Sequence, residues 1–189
     1  SDVKTPIEVL RILKNISRHV YMLESIEDNE KWGRYTFLGY DPKLELACLK
    51  GKMTIKNGTT IEMDIRHPGE MIKKIMADYK SPKLEHLPPF TGGLVGYFAY
   101  DYICYAEPSL KLQAKDEENF KDVDLMLFDK VIAFDNYRQK IICIVNAKTE
   151  DIDRAYNKAV IELKNMIELI RSGQPQPPKQ GRITSEFRP

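Results

Sequence analysis

Between two proline breaks, Asp41-Pro42 and His67-Pro68, the chain alternates apolar and polar residues with a period of two. Leu44, Leu46 and Cys48 mark one run, Met53 and Ile55 a second, and Ile61, Met63 and Ile65 a third. Successive side chains of a strand point to opposite faces, so such a run buries one face and wets the other. A helix would repeat its apolar stripe every three to four residues instead. Lys50-Gly51-Lys52 separates the first two runs and Asn57-Gly58 the last two. Asn-Gly is a strong two-residue hairpin signal, because both central positions of such a turn need positive φ. The stretch reads as a meander of three short strands, which are antiparallel when joined this tightly.

Upstream lies YMLESIEDNEKWGRYTFLGYDP, Tyr21 to Pro42. Apolar-alternating runs at Val20 to Ile26 and Tyr35 to Leu38 flank a charged turn, Glu27 to Lys31. That is two strands and a solvated loop. Ser25 offers a hydroxyl at the end of the first strand, and Arg34 a fixed cationic fork at the start of the second. Both are residue types that hold a small zwitterion. By spacing alone, a serine there is ordinarily a turn residue and an arginine a solvated rim.

The remaining elements follow the same rules. Asp2 or Thr5, then Pro6, opens a helix with Ile7, Leu10, Ile12, Leu13 and Ile16 on one face. Met71, Ile72, Ile75, Met76 and Tyr79 trace a second helix after His67-Pro68-Gly69. In Phe90 to Tyr102, FTGGLVGYFAYDY, the glycines are spaced GGxxG with no following Lys-Ser or Lys-Thr, so a phosphate loop is disfavoured. A buried strand closely approached by another backbone or a helix fits better. Tyr102 to Pro108 reads as a helical turn and Leu110 to Lys121 as a charged loop. Asp124 to Asp135 reads as one long strand, paired with Gln139 to Asn146. From Glu150 or Asp151 a third helix runs to about Arg171, with Ile152, Ala155, Ala159, Leu163, Met166 or Ile167, and Ile170 at helical spacing. Gly173 closes it as a C-cap glycine. The predicted architecture is α+β: mostly antiparallel sheet, helices packed outside, three main helices and at most two further turns.

Residues 1–172 are expected to form one domain. Residues 173–189 combine a proline-rich linker, GQPQPPKQG, with RITSEFRP, too short to be a domain. The chain therefore reads as part of a longer protein.

With 29 basic and 28 acidic side chains, the net charge of +1 lacks the basic excess of a nucleic-acid or anionic-membrane binder. No apolar run is long enough to span a bilayer, and SDVKTPIEVL lacks the build of a signal peptide. Cys48, Cys104 and Cys143 are far apart and odd in number, matching neither a disulfide framework nor a zinc spacing. They read as buried free thiols in a reducing cytoplasm. His19, His67 and His86 are isolated. Asp129 and Asp135, six residues apart on one strand, would lie roughly 20 Å from each other, too far for a shared acid–base site. No catalytic residue and no metal cluster is predicted.

Leu23-Glu24-Ser25 followed by Trp32-Gly33-Arg34-Tyr35-Thr36-Phe37-Leu38-Gly39 resembles the amino-terminal signature of anthranilate synthase component I, a chorismate-utilising enzyme family. GGLVGYFAYD resembles the glycine-tyrosine strand of the same enzymes, and the likeness covers nearly the whole chain. It implies an amino-terminal region whose sheets pack against the catalytic half. The family's leucine-leucine-glutamate-serine motif for tryptophan matches as Met22-Leu23-Glu24-Ser25, with Met for Leu, a volume-conserving exchange. The resemblance thus implies an effector site for L-tryptophan at Leu23, Glu24, Ser25 and Arg34. Arg34 would pair the carboxylate or line the pocket, Ser25 would bond the ammonium or the indole N–H, and Leu23 with the Tyr35–Phe37 strand would form the apolar wall.

For the whole enzyme the resemblance implies conversion of chorismate, with ammonia from a glutamine amidotransferase partner (component II), to anthranilate and pyruvate. Mg²⁺ would be required, its ligands lying in the carboxyl-terminal half. This chain alone would then be inactive. Three alternatives stay open: aminodeoxychorismate synthase component I of the folate route, a non-catalytic amino-acid-binding module, and a domain that only docks the amidotransferase.

Overall fold

The computed structural model describes residues 4–24, 33–110, 116–177 and 181. Helix α1 (Pro6–Leu13) starts where the sequence places it. Thr5 caps it, accepting from the Glu8 N–H, while Glu8 reaches back to the Thr5 N–H at 2.7 Å. This reciprocal capping satisfies two otherwise unpaired donors. The buried face is Val9, Ile12 and Leu13. Ile7 and Ile16, expected on that face, are exposed, and Val9 was not expected there.

Strands β1 (Val20–Leu23), β2 (Tyr35–Tyr40), β8 (Lys130–Asp135) and β9 (Lys140–Val145) form a four-stranded sheet in the order β1-β2-β8-β9. A five-stranded sheet has the order β5-β4-β3-β7-β6, from β3 (Leu44–Leu49), β4 (Lys52–Asn57), β5 (Thr59–Asp64), β6 (Gly93–Phe98) and β7 (Val123–Phe128). Every neighbouring pair is antiparallel. Helices α1 and α4 (Ile152–Ser172) cover one face of the first sheet, burying Leu38, Tyr40, Ile132 and Phe134 against Val9, Leu13, Met166 and Ile170. Helix α2 (Pro68–Ala77) covers one face of the second, laying Met71, Ile72, Ile75 and Met76 over Leu44, Leu46, Met53 and Leu125. A 3₁₀ turn (Tyr100–Tyr102) and the short α3 (Ile103–Ala106) complete the described elements. The predicted α+β class, with helices outside antiparallel sheets, holds.

Five expectations are corrected. The run from Asp124 to Asp135 is not one strand. It breaks at Asp129, with β7 in one sheet and β8 in the other. A carboxylate inside an otherwise apolar run is hard to keep in a continuous ladder, and here it marks the corner. The second corner is β2 to β3, where Asp41 adopts φ 53.

The two-residue turn with both φ positive lies at Lys50-Gly51 (49 and 78), not at Asn57-Gly58. There Asn57 pairs Thr59 across Gly58, which alone has positive φ (72), because a turn centred on one residue needs it at that residue alone.

Strand β6 is an edge strand, with Phe98 52% exposed, rather than a buried one. The expected close approach is real: a Cβ on Gly96 (φ 155) would stand 2.0 Å from the Asp124 carbonyl oxygen.

Gly173 does end α4, but with φ −57 rather than a left-handed conformation. Glycine is needed because a Cβ would meet the Leu169 carbonyl and the Ile12 side chain. All three cysteines are free, yet only Cys48 is buried; Cys104 and Cys143 are half-buried. No described helix is long and apolar enough to cross a membrane.

Candidate functional site

The pairing of β1 with β2 sets Leu23 opposite Phe37, and that of β2 with β8 sets Tyr35 opposite Asp135. Directly paired residues share a sheet face. Leu23, Phe37, Tyr35 and Asp135 therefore stand on the face turned away from α1 and α4. Tyr35 stacks on Phe37 at 5.7 Å, and Phe90, from the loop before β6, meets Phe37 edge-on at 5.6 Å. Leu23 ends β1 and is 47% exposed. Three of these groups, Leu23, Tyr35 and Phe37, are those the sequence named for an apolar wall, and they share this face.

Arg34 stands at one end of this wall. Its Nε donates to Asp135 Oδ1 at 3.0 Å and its Nη2 to Asp135 Oδ2 at 2.6 Å. Such a two-pronged pair fixes the guanidinium plane as well as its place. The carboxylate is 2% exposed and also accepts the Arg138 N–H at 3.0 Å. The Arg34 bonds, with the Arg138 N–H, hold the Asp135 carboxyl below its ordinary range, and Asp135 in turn raises the Arg34 guanidinium. The cation lies over the Tyr35 ring at 4.9 Å and near the Tyr137 ring at 5.9 Å. Backbone bonding secures the corner, since the Asn136 N–H donates to the Arg34 carbonyl at 2.8 Å.

Of the predicted effector residues, the structure brings Leu23 and Arg34 to one aromatic wall. Glu24 follows β1 and is exposed. Ser25 lies outside the described residues. Asp135, Tyr137 and Phe90 were missed. Asp135 was weighed only as a partner for Asp129, and the two do lie at opposite ends of β8. The available signal was an acid, Asp135, closing an apolar strand just before the turn at residues 136–139.

An open groove of about 550 Å³ lies between the α1–β1 connection and strands β6 and β7, lined in part by Lys14, Arg18, His19, Tyr21, Gly96 and Phe128. Leu23, Glu24 and Arg34 do not line it. Among the described residues no three His, Cys, Asp or Glu side chains gather as a metal ion would need. The magnesium implied by the resemblance finds no donor set among them.

The structure so far defines an α+β protein with helices on one face of each sheet and, on the other face of the first, an aromatic wall with a fixed charge at its end. The family model for chorismate binding enzyme matches residues 19–189, and the chain belongs to that family. It is 35% identical over 176 residues to anthranilate synthase component 1 of Acinetobacter calcoaceticus, covering 90% of this chain and 35% of that protein. It is 37% identical over 169 residues to the protein of that name in Acetivibrio thermocellus, covering 88% and 34% respectively. The crystal structure of anthranilate synthase component I from Streptococcus pneumoniae TIGR4 superposes with a TM-score of 0.58 at 26% identity, covering 90% of this chain and 35% of that one. The chain thus spans about a third of the length of the curated relatives it matches.

Proposed function

We propose that this chain is the amino-terminal, tryptophan-sensing portion of an anthranilate synthase component I. The whole enzyme would convert chorismate and ammonia to anthranilate and pyruvate, the ammonia coming from a glutamine amidotransferase, component II. Its magnesium and its reacting groups would belong to the rest of the protein, and it would work in the cytoplasm. Residues 1–172 would form the regulatory domain and 173–189 the passage into the catalytic half.

One observation carries the sensing role: Arg34 is held rigidly at the end of a half-exposed wall of Leu23, Tyr35 and Phe37. A free aromatic amino acid presents a carboxylate beside an apolar ring, and this corner offers a cation beside apolar rings. Leu23, Glu24, Ser25 and Arg34 would form one side of the pocket and the catalytic half the other. Binding across two halves acts as a switch when tryptophan prefers the inactive arrangement, with typical coupling of about 1–3 kcal/mol.

The test uses the full-length protein. Ser25→Leu and Arg34→Ala should each relieve inhibition by tryptophan, measured as the fluorescence of the anthranilate formed. Unchanged inhibition in both would refute the pocket, and absence of that fluorescent product would point to aminodeoxychorismate instead. The 189-residue chain by itself should turn over no chorismate.

A further inference from the structure

Arginine has two edges that can each grip a carboxylate: Nε with Nη2, and Nη1 with Nη2. In Arg34 the first edge is taken by Asp135, at 3.0 and 2.6 Å. Among the described residues nothing accepts from Nη1. The acid that takes the first edge is almost fully buried and anchored by a backbone N–H of the β8–β9 turn. The same turn supplies Tyr137, which stands with Tyr35 beside the guanidinium.

We infer that Asp135 is a positioning residue of the effector site. It holds Arg34 by one edge so that the Nη1–Nη2 edge, flanked by Tyr35 and Tyr137, is a preset clamp for the carboxylate of a free aromatic amino acid. This rests on the tryptophan-sensing reading above and adds to it the β8–β9 turn, which nothing in the amino-terminal motif indicated.

Asp135 offsets much of the charge of Arg34, so long-range attraction for the ligand is reduced. What it contributes is direction. A free arginine side chain must surrender its rotamer freedom when it binds, and one already fixed does not. The site is thereby selective for a planar two-oxygen group over an uncharged ester. That selectivity separates positioning from mere structural support. A structural fault weakens every ligand alike, whereas a misdirected fork weakens the carboxylate in particular.

The experiment compares inhibition of the full-length enzyme by L-tryptophan and by its methyl ester. The wild type should respond to the acid far better than to the ester. Asp135→Asn should lower that preference by about tenfold, the scale on which one prefixed rotamer-rich side chain affects binding. Asp135→Glu keeps the ion pair while displacing the fork by a methylene, and it should also lose preference even where the asparagine variant folds poorly. Variants that keep the wild-type ratio would overturn the role of Asp135 and leave the tryptophan site standing. A wild type inhibited equally by acid and ester would overturn the clamp. A wild type insensitive to tryptophan would remove the effector site and the clamp together.

Discussion

Lys130 Nζ reaches Asp41 Oδ2 at 2.8 Å, joining the first residue of β8 to the residue just after β2. These are the two places where the chain passes between sheets. A second pair crosses the same junction in the other sense, with Lys43 Nζ 3.6 Å from Asp129 Oδ2. The Lys130 side chain is 7% exposed, while that of Asp41 is 65% exposed. Burial alone would lower the Lys130 ammonium, but Asp41, Tyr40 and Glu162 outweigh it and the net direction is up.

The pair should therefore respond unequally to removal of either partner. Asp41→Asn leaves a buried ammonium with Glu162 at 3.8 Å as its nearest acid, and should cost about 1–3 kcal/mol. Asparagine tolerates the positive φ of that position, so backbone strain does not confound the comparison. Lys130→Met removes the buried charge and lets Asp41 hydrate, and should stay within about 1 kcal/mol of wild type. Urea midpoints for both variants decide the matter. Equal losses would show that the junction does not depend on which partner is buried.

Gly96→Ala should be among the more damaging small substitutions. The added Cβ would sit 2.0 Å from the Asp124 carbonyl oxygen, which is backbone and cannot swing away. With φ at 155 a side chain is also strained before any contact. A loss of at least about 1–3 kcal/mol is expected, with β6 peeling from β7 first. Hydrogen exchange would show this as faster exchange along Gly93–Phe98. Protection equal to wild type there would contradict it.

Local patterns made most of the fold legible. Alternation located β3, β4 and β5, and Thr5, Pro6 and Glu8 marked the start of α1, because these signals act over three or four residues. The split at Asp129 was not legible. Both halves are strands by composition, and the break exists because their pairing partners lie in different sheets. For the same reason the site was half visible. Leu23 and Arg34 stand in one recognisable stretch, while Asp135, Tyr137 and Phe90 reach them from about 55 to 110 residues away through sheet pairing.

The carboxylates flanking β8 should give opposite pH dependences. Hydrogen bonds from Arg34 and Arg138 lower the Asp135 carboxyl. Its contribution is complete above the unfolded value, about 3.9, and fades as pH falls through the lower folded value. Burial raises Asp129, against the pull of Lys43 and Lys130. Its folded state favours the neutral acid, so its contribution is complete below about 3.9 and is lost as pH rises through the raised value. Melting temperatures of Asp135→Asn and Asp129→Asn from about pH 2.5 to 7 should diverge accordingly. The first variant should be hurt most near neutrality and least in acid. The second should gain on wild type near neutrality, and an equal loss at both ends of the range would count against the burial of Asp129.

Tyr21 supplies a test of how the first sheet meets the second. Its ring lies across Gly39, its partner on β2, where a Cβ would come within 2.2 Å of the ring, and it meets Phe128 edge-on at 4.7 Å. The hydroxyl is buried with no hydrogen-bond partner among the described residues. Burial also pushes its pKa well above that of an ordinary tyrosine. An unpaired buried hydroxyl costs about 1–3 kcal/mol, so Tyr21→Phe should keep the packing, shed that cost and stabilise the protein by about 1 kcal/mol. Gly39→Ala should do the reverse, driving the ring off Phe128 and separating the two sheets at their closest aromatic contact. Near-ultraviolet circular dichroism and the urea midpoint would follow both. Destabilisation by Tyr21→Phe would mean that the hydroxyl bonds a group beyond the described residues, and the account of a ring held by packing alone would then fail.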